Sequence, residues 1–153
     1  MTSIEITKRI VEYLNSQMTN TIIKSTPQAV SAPNIYEMLE PVSTVLVWHE
    51  STPSYGDQKV RFENDERFHA EAYKKAMRFV VSVGYRSLNE NITGLDDIIE
   101  QIELNLTNYL IDDLTPLRPV NMTKLIDGVT PATTWRQMYF ETIQRFKVNV
   151  HRG

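Results

Sequence analysis

The sequence contains no cysteine, which removes disulfides, thiolate nucleophiles and Cys-containing zinc sites together. Its five glycines form neither G-x-G-x-x-G nor G-x-x-x-x-G-K-[ST], so the two common phosphate cradles are missing. The hydrolase elbow G-x-S-x-G is missing as well. His49, His69 and His151 stand apart, without the H-E-x-x-H or H-x-x-H spacing that turns two imidazoles toward one metal. No apolar run approaches the roughly 18 residues needed to cross a bilayer, and charges interrupt the N-terminal pattern M-T-S-I-E-I-T-K-R-I-V-E. The chain is therefore expected to carry neither a signal peptide nor a membrane anchor, and the Asn-x-Thr triplets at Asn91, Asn105 and Asn121 are read as chance. Positive charge is not in excess either. Sixteen Lys and Arg against nineteen Asp and Glu leave a net charge of -3, with the bases scattered singly, so the footprint of a tight nucleic-acid binder is lacking. These absences point away from an enzyme: no catalytic residue, no cofactor and no metal is expected.

What the sequence does contain is the material of one globular domain spanning residues 1–153, with 41% apolar and 23% charged residues. That length is enough to bury a core without cross-links. Two stretches organise it. Along Met77 to Tyr85, side chains alternate so that Met77, Phe79, Val81, Val83 and Tyr85 share one face of a strand. Leu95, Ile98, Ile99, Ile102, Leu106, Tyr109 and Leu110 then recur at helical spacing, predicting a helix near 94–113 that lies on the sheet.

Around this pair, Thr2 and Glu5 have the spacing of a capping box, and Ile6, Ile10, Tyr13, Leu14 and Met18 give an N-terminal helix its inward stripe. Thr21 to Lys24 reads as a short strand and Asn34 to Leu39 as a turn of helix, among the breakers Pro27, Pro33 and Pro41. Val42 to His49 has a β-branched and aromatic run without alternation, as in a strand covered on both faces; Trp48 is placed in the core. Thr93 and Asp96 have cap spacing before the long helix, and Pro116 and Pro119 are expected to stop it near Asp113. Asp112 and Asp113 would then sit unfavourably, or simply solvated, at its end. Val120 to Ile126 suits an edge strand before an Asp127-Gly128 turn, and Thr130 to Thr134 is a polar break. In the last segment Phe140, Phe146, Val148 and Val150 share one parity while Arg145, Lys147, Asn149 and His151 share the other. Ile143 violates this alternation, which a β-bulge near Thr142 would restore. The expected fold class is α+β: a mixed, mainly antiparallel sheet of four to five strands packed against two helices.

The remaining feature is a long polar loop or hairpin at 50–71. It carries Glu50, Asp57, Glu63, Asp65, Glu66 and Glu71 against Lys59, Arg61 and Arg67, with Val60, Phe62 and Phe68 as its apolar anchors. Unstructured excursions of this length are uncommon in compact domains, so it is either a binding element or a solvated loop. Trp135, Tyr139 and Phe140 form a second aromatic group suited to an interface. Tyr55 is its counterpart in the polar excursion.

The I-x-x-R-I-V-E-Y-L helix, the V-S-T-V-L-V-W and R-F-V-V-S-V strands and the closing R-F-K-V-N-V strand, in this order, resemble the tail terminator or tail-completion (neck) proteins of long-tailed bacteriophages. The resemblance implies a structural virion protein, assembled in the host cytoplasm, that forms a homo-oligomeric and typically hexameric ring. Such a ring caps the tail tube, ends its growth and joins the neck, so its implied partners are further copies of itself, the tail tube protein and a neck or head-completion protein. DNA would pass through without specific binding and no membrane would be involved. Under this reading Tyr55, Arg61, Phe62, Arg67, Phe68, Trp135 and Tyr139 are candidate assembly contacts. Asp57, Glu63, Asp65 and Glu66 are candidate acidic residues facing the channel, where negative charge would repel phosphate. Another head–tail connector, such as a stopper protein, and a small α/β enzyme or ligand-binding domain are the alternatives.

Overall fold

The computed structural model describes residues 1–19, 21–26, 43–57, 70–86, 93–126 and 133–149. Helix α1 (Ser3–Gln17) opens with the full capping box: Thr2 Oγ1 accepts from the Glu5 N–H at 3.2 Å, and Glu5 Oε2 accepts from the Thr2 N–H at 3.0 Å. Two first-turn donors that would otherwise lack partners are thereby satisfied. Strands β1 (Ile22–Ser25), β2 (Ser43–Asp57) and β3 (Ala70–Arg86) follow, then helix α2 (Thr93–Leu106), β4 (Arg118–Ile126) and β5 (Thr133–Asn149). The strands form one sheet in the order β1-β2-β3-β5-β4. β1 runs parallel to β2, and every other pairing is antiparallel. The α+β class read from the sequence is the class observed. No described helix is long and apolar enough to cross a membrane.

Both helices cover the same face. Ile6, Ile10 and Leu14 of α1, with Leu95, Ile99, Ile102 and Leu106 of α2, close over Val45, Val47, Met77, Phe79, Val81, Val83, Met138 and Phe140. Each of these large side chains contributes about 1.5–3 kcal/mol by leaving water. On the opposite, far face Leu46, Trp48, Val80 and Ser82 are also buried. The non-alternating V-L-V-W run therefore belongs to a strand covered on both sides, as its composition indicates.

Several boundaries differ from the sequence reading. Helix α2 stops at Leu106, well short of Asp113. Asn108 takes a left-handed conformation with φ 66°, and its N–H donates to the Leu117 carbonyl at 2.7 Å; this turns the chain back before any proline is reached. Ile111, Leu114 and Leu117 are buried beyond that turn, whereas Leu110 is exposed. Asp112 is consequently at no helix end and pairs with Arg9 at 3.1 Å. Helix α2 also begins at Thr93 itself, so Thr93 is not its cap.

Nor is there a bulge near Thr142: β3 and β5 pair without a shift from Ala70↔Asn149 to Arg86↔Thr133. Ile143 simply turns to the far face beside Ala76, and the irregularities fall in β2 between His49 and Ser54 and in β4 between Val120 and Lys124. β5 starts at Thr133, inside the expected polar break. β4 starts at Arg118 and includes Pro119, which an edge strand tolerates because one side of it needs no ladder donor. The helical turn read at Asn34 to Leu39 and the Asp127-Gly128 turn lie outside the described residues.

Candidate functional site

β2, β3 and β5 are much longer than the core they cross. The core ends on β3 at Met77 and on β5 near Thr142. There the segment after α2 straps across the sheet. Thr142 Oγ1 donates to the Thr115 carbonyl at 2.6 Å, and the Ile143 N–H donates to Thr115 Oγ1 at 2.8 Å. Beyond this strap Ser54–Asp57, Ala70–Lys75 and Gln144–Asn149 continue as paired strand. At about 3.4 Å per residue the three-stranded extension, called the arm below, projects about 20 Å. The polar excursion read at 50–71 thus begins and ends as ordered sheet, and residues 58–69 lie outside the described residues.

On the helix side of the arm the rings of Tyr73 and Phe146 stack with centroids 5.6 Å apart. Lys75 Nζ sits 5.7 Å from the Phe146 centroid, within range of a cation–π contact. On the far side, Lys74 and Arg145 are directly opposed across the β3–β5 ladder, an arrangement in which like charges repel. Neither has an ion-pair partner among the described residues. Farther toward the core Glu141, with its side chain only 9% exposed, binds Arg118 Nη2 at 2.9 Å and Arg78 Nη2 at 3.5 Å. Tyr139 is half-buried beside this group, and its hydroxyl donates to Gln137 Oε1 at 3.1 Å. Burial raises the Tyr139 pKa above its ordinary value, and the negative charge of Glu50 adds to the effect. His49 rests against Phe79 at 5.3 Å, and burial lowers its pKa. Trp48 Nε1 and Ser82 Oγ are buried on the far face with no hydrogen-bond partner among the described residues.

The residues singled out from the sequence are distributed along the sheet. Tyr55 pairs with Lys75 and Asp57 with Tyr73, both on the arm. Arg61, Phe62, Glu63, Asp65, Glu66, Arg67 and Phe68 lie outside the described residues, as do His69 and His151. Trp135 pairs with Gly84, nine ladder positions from Lys75, which is roughly 30 Å away along the strand. Tyr55 and Trp135 therefore occupy positions near opposite ends of the sheet. Tyr139 lies between them, and Phe140 is 1% exposed in the core opposite Phe79, so it offers nothing to a partner.

Sequence reasoning passed over Tyr73, Lys74 and Lys75. Their signal was present in the polar parity of Arg145 and Lys147, which continues across the ladder onto Lys74. Among the described residues no three side chains converge to hold a metal. What the arm offers is length, charge and paired backbone, which suit it to contact with another macromolecule. A scan against protein-family models returned no match to this chain, and a search of curated protein sequences returned none either.

Proposed function

We propose that this chain is a tail terminator of a long-tailed bacteriophage: a virion subunit without catalytic activity that assembles into a ring on the end of the tail tube. The ring would stop tube growth and present a surface to the neck, and DNA would pass through it without being held. The observation that carries this reading is the arm. A ribbon of strands reaching about 20 Å past its own core has no further strand on either edge among the described residues, and unpaired strand edges invite pairing with other chains. Such an element is retained where it reaches a neighbour. The separation of the Tyr55 and Trp135 positions along the sheet fits the same reading, because a ring joins two different surfaces of each subunit head to tail.

The test is to polymerise the tail tube protein of the same phage with and without this chain and to measure tube lengths in electron micrographs. A terminator shortens the tubes in proportion to its amount and leaves a ring at one end. Unchanged lengths and bare ends would overturn the proposal.

A further inference from the structure

The two sides of this domain carry opposite charge. On the far side of the sheet Lys74 and Arg145 face each other across the ladder. Of the carboxylates near this side with described side chains, Glu141 is already engaged by Arg78 and Arg118, and Glu50, close enough to Tyr139 to act on its hydroxyl, stands at the base of the arm, at the β2 irregularity between His49 and Ser51. On the helix side the outer surface of α2 carries Asp97, Glu100 and Glu103, all exposed and without an ion pair among the described residues. In their midst stands Leu104, 75% exposed. Spacings of three and four residues put Asp97, Glu100 and Leu104 on one stripe. Asp96 is excluded from this set because Arg136 holds it at 3.0 Å.

We infer that the basic far side of the arm in one copy of this chain docks on the acidic outer face of α2 in the next copy, with Leu104 as the apolar anchor. The inference rests on the ring reading above and names the surfaces that would build the ring. The lengths match: fourteen residues of α2 extend about 21 Å, against about 20 Å for the arm. The charges match as well, and docking would relieve the repulsion between Lys74 and Arg145 by placing carboxylates against them. The geometry also selects the type of assembly. Because the two patches face opposite directions on one subunit, a copy cannot satisfy both with a single two-fold partner, and the contact propagates head to tail until it closes. An apolar side chain surrounded by charges that find opposite partners is the usual anatomy of a specific protein contact.

The test uses two charge-reversed variants of the full chain, K74E/R145E and E100K/E103K. All four positions lie outside the core, so unchanged circular dichroism and melting are expected and are checked first. Each variant alone should lose self-association by about a hundredfold or more in light scattering, since like charges then meet. A one-to-one mixture should restore the wild-type assembly, because reversed arm then meets reversed helix and native arm meets native helix in alternation. Variants that assemble as well as wild type, or a mixture that fails to recover, would overturn the interface while a wild-type ring left the terminator reading standing. A wild-type chain that stays monomeric would overturn the docking, and the tube-length measurement above would then decide the terminator reading by itself. Retention of labelled duplex DNA by wild type but not by K74E/R145E would assign the basic side to phosphate and overturn the docking.

Discussion

Replacing Glu141 with glutamine preserves the side chain's volume and removes its charge, so it isolates the ion cluster that Glu141 forms with Arg78 and Arg118 on the far side of the sheet. The two arginines it engages are not equivalent. Arg118 is 63% exposed, so water screens it and its share is at most about 0.5 kcal/mol. Arg78 is 26% exposed, and its Nε is already buried without a partner. Losing the carboxylate therefore strands a largely buried cation. At an effective dielectric of about 20, an ion pair at this range has a gross attraction of about 4 kcal/mol. Desolvation already offsets part of that and glutamine retains an acceptor, which leaves a net loss of about 2 kcal/mol. For a chain of 153 residues this lowers Tm by about 4–8 °C. Thermal melts followed by far-ultraviolet circular dichroism read the shift, and urea unfolding with an unchanged slope confirms that it reflects stability. Arg118→Gln should lower Tm by less than about 2 °C. Equal shifts from Arg118→Gln and Glu141→Gln, or no shift from the latter, would refute the assignment of the energy to Arg78.

Asn108 ends α2 in the left-handed region, so Asn108→Ala should cost about 1 kcal/mol in urea unfolding while Asn108→Gly costs almost nothing. Burial lowers the folded-state pKa of His49 from its ordinary value of 6.5. The unfolded chain therefore takes up a proton on acidification that the folded chain resists. The stability His49 contributes is complete above about pH 6.5 and is lost as pH falls through the lowered folded value. Melts of wild type and His49→Gln at about pH 7.5 and about pH 5 should diverge, with wild type losing more. Thr2→Ala removes the hydroxyl half of the α1 capping box and should cost about 1 kcal/mol, with Thr2→Ser restoring most of it.

The parts of the fold that could be read in advance are those where one face is buried. Met77, Phe79, Val81 and Val83 alternate because helices cover one side of β3, and Ile6, Ile10 and Leu14 recur because one stripe of α1 meets the sheet. The end of α2 was hidden for a physical reason. Tyr109 and Leu110 fall three and four residues beyond Leu106, so periodicity alone extends the helix through a turn that the backbone of Asn108 makes. The arm was hidden for the opposite reason. Where the side chains of a strand stay half-buried, as at Ser51 and Thr52, alternation fades and paired strand reads as polar loop, which is why 51–57 and 70–71 look like part of an excursion. The bulge expected near Thr142 followed from assuming that Ile143 must face the core, when the far side of the sheet also buries apolar atoms.

Most directly, the account is tested by the mass of the purified chain in solution, measured by light scattering over a concentration series, with electron micrographs of whatever large species form. A head-to-tail contact between opposite faces predicts a single closed species of several copies, seen as a ring with an open centre. A strict monomer at every concentration, or a two-fold dimer that grows no further, would contradict it.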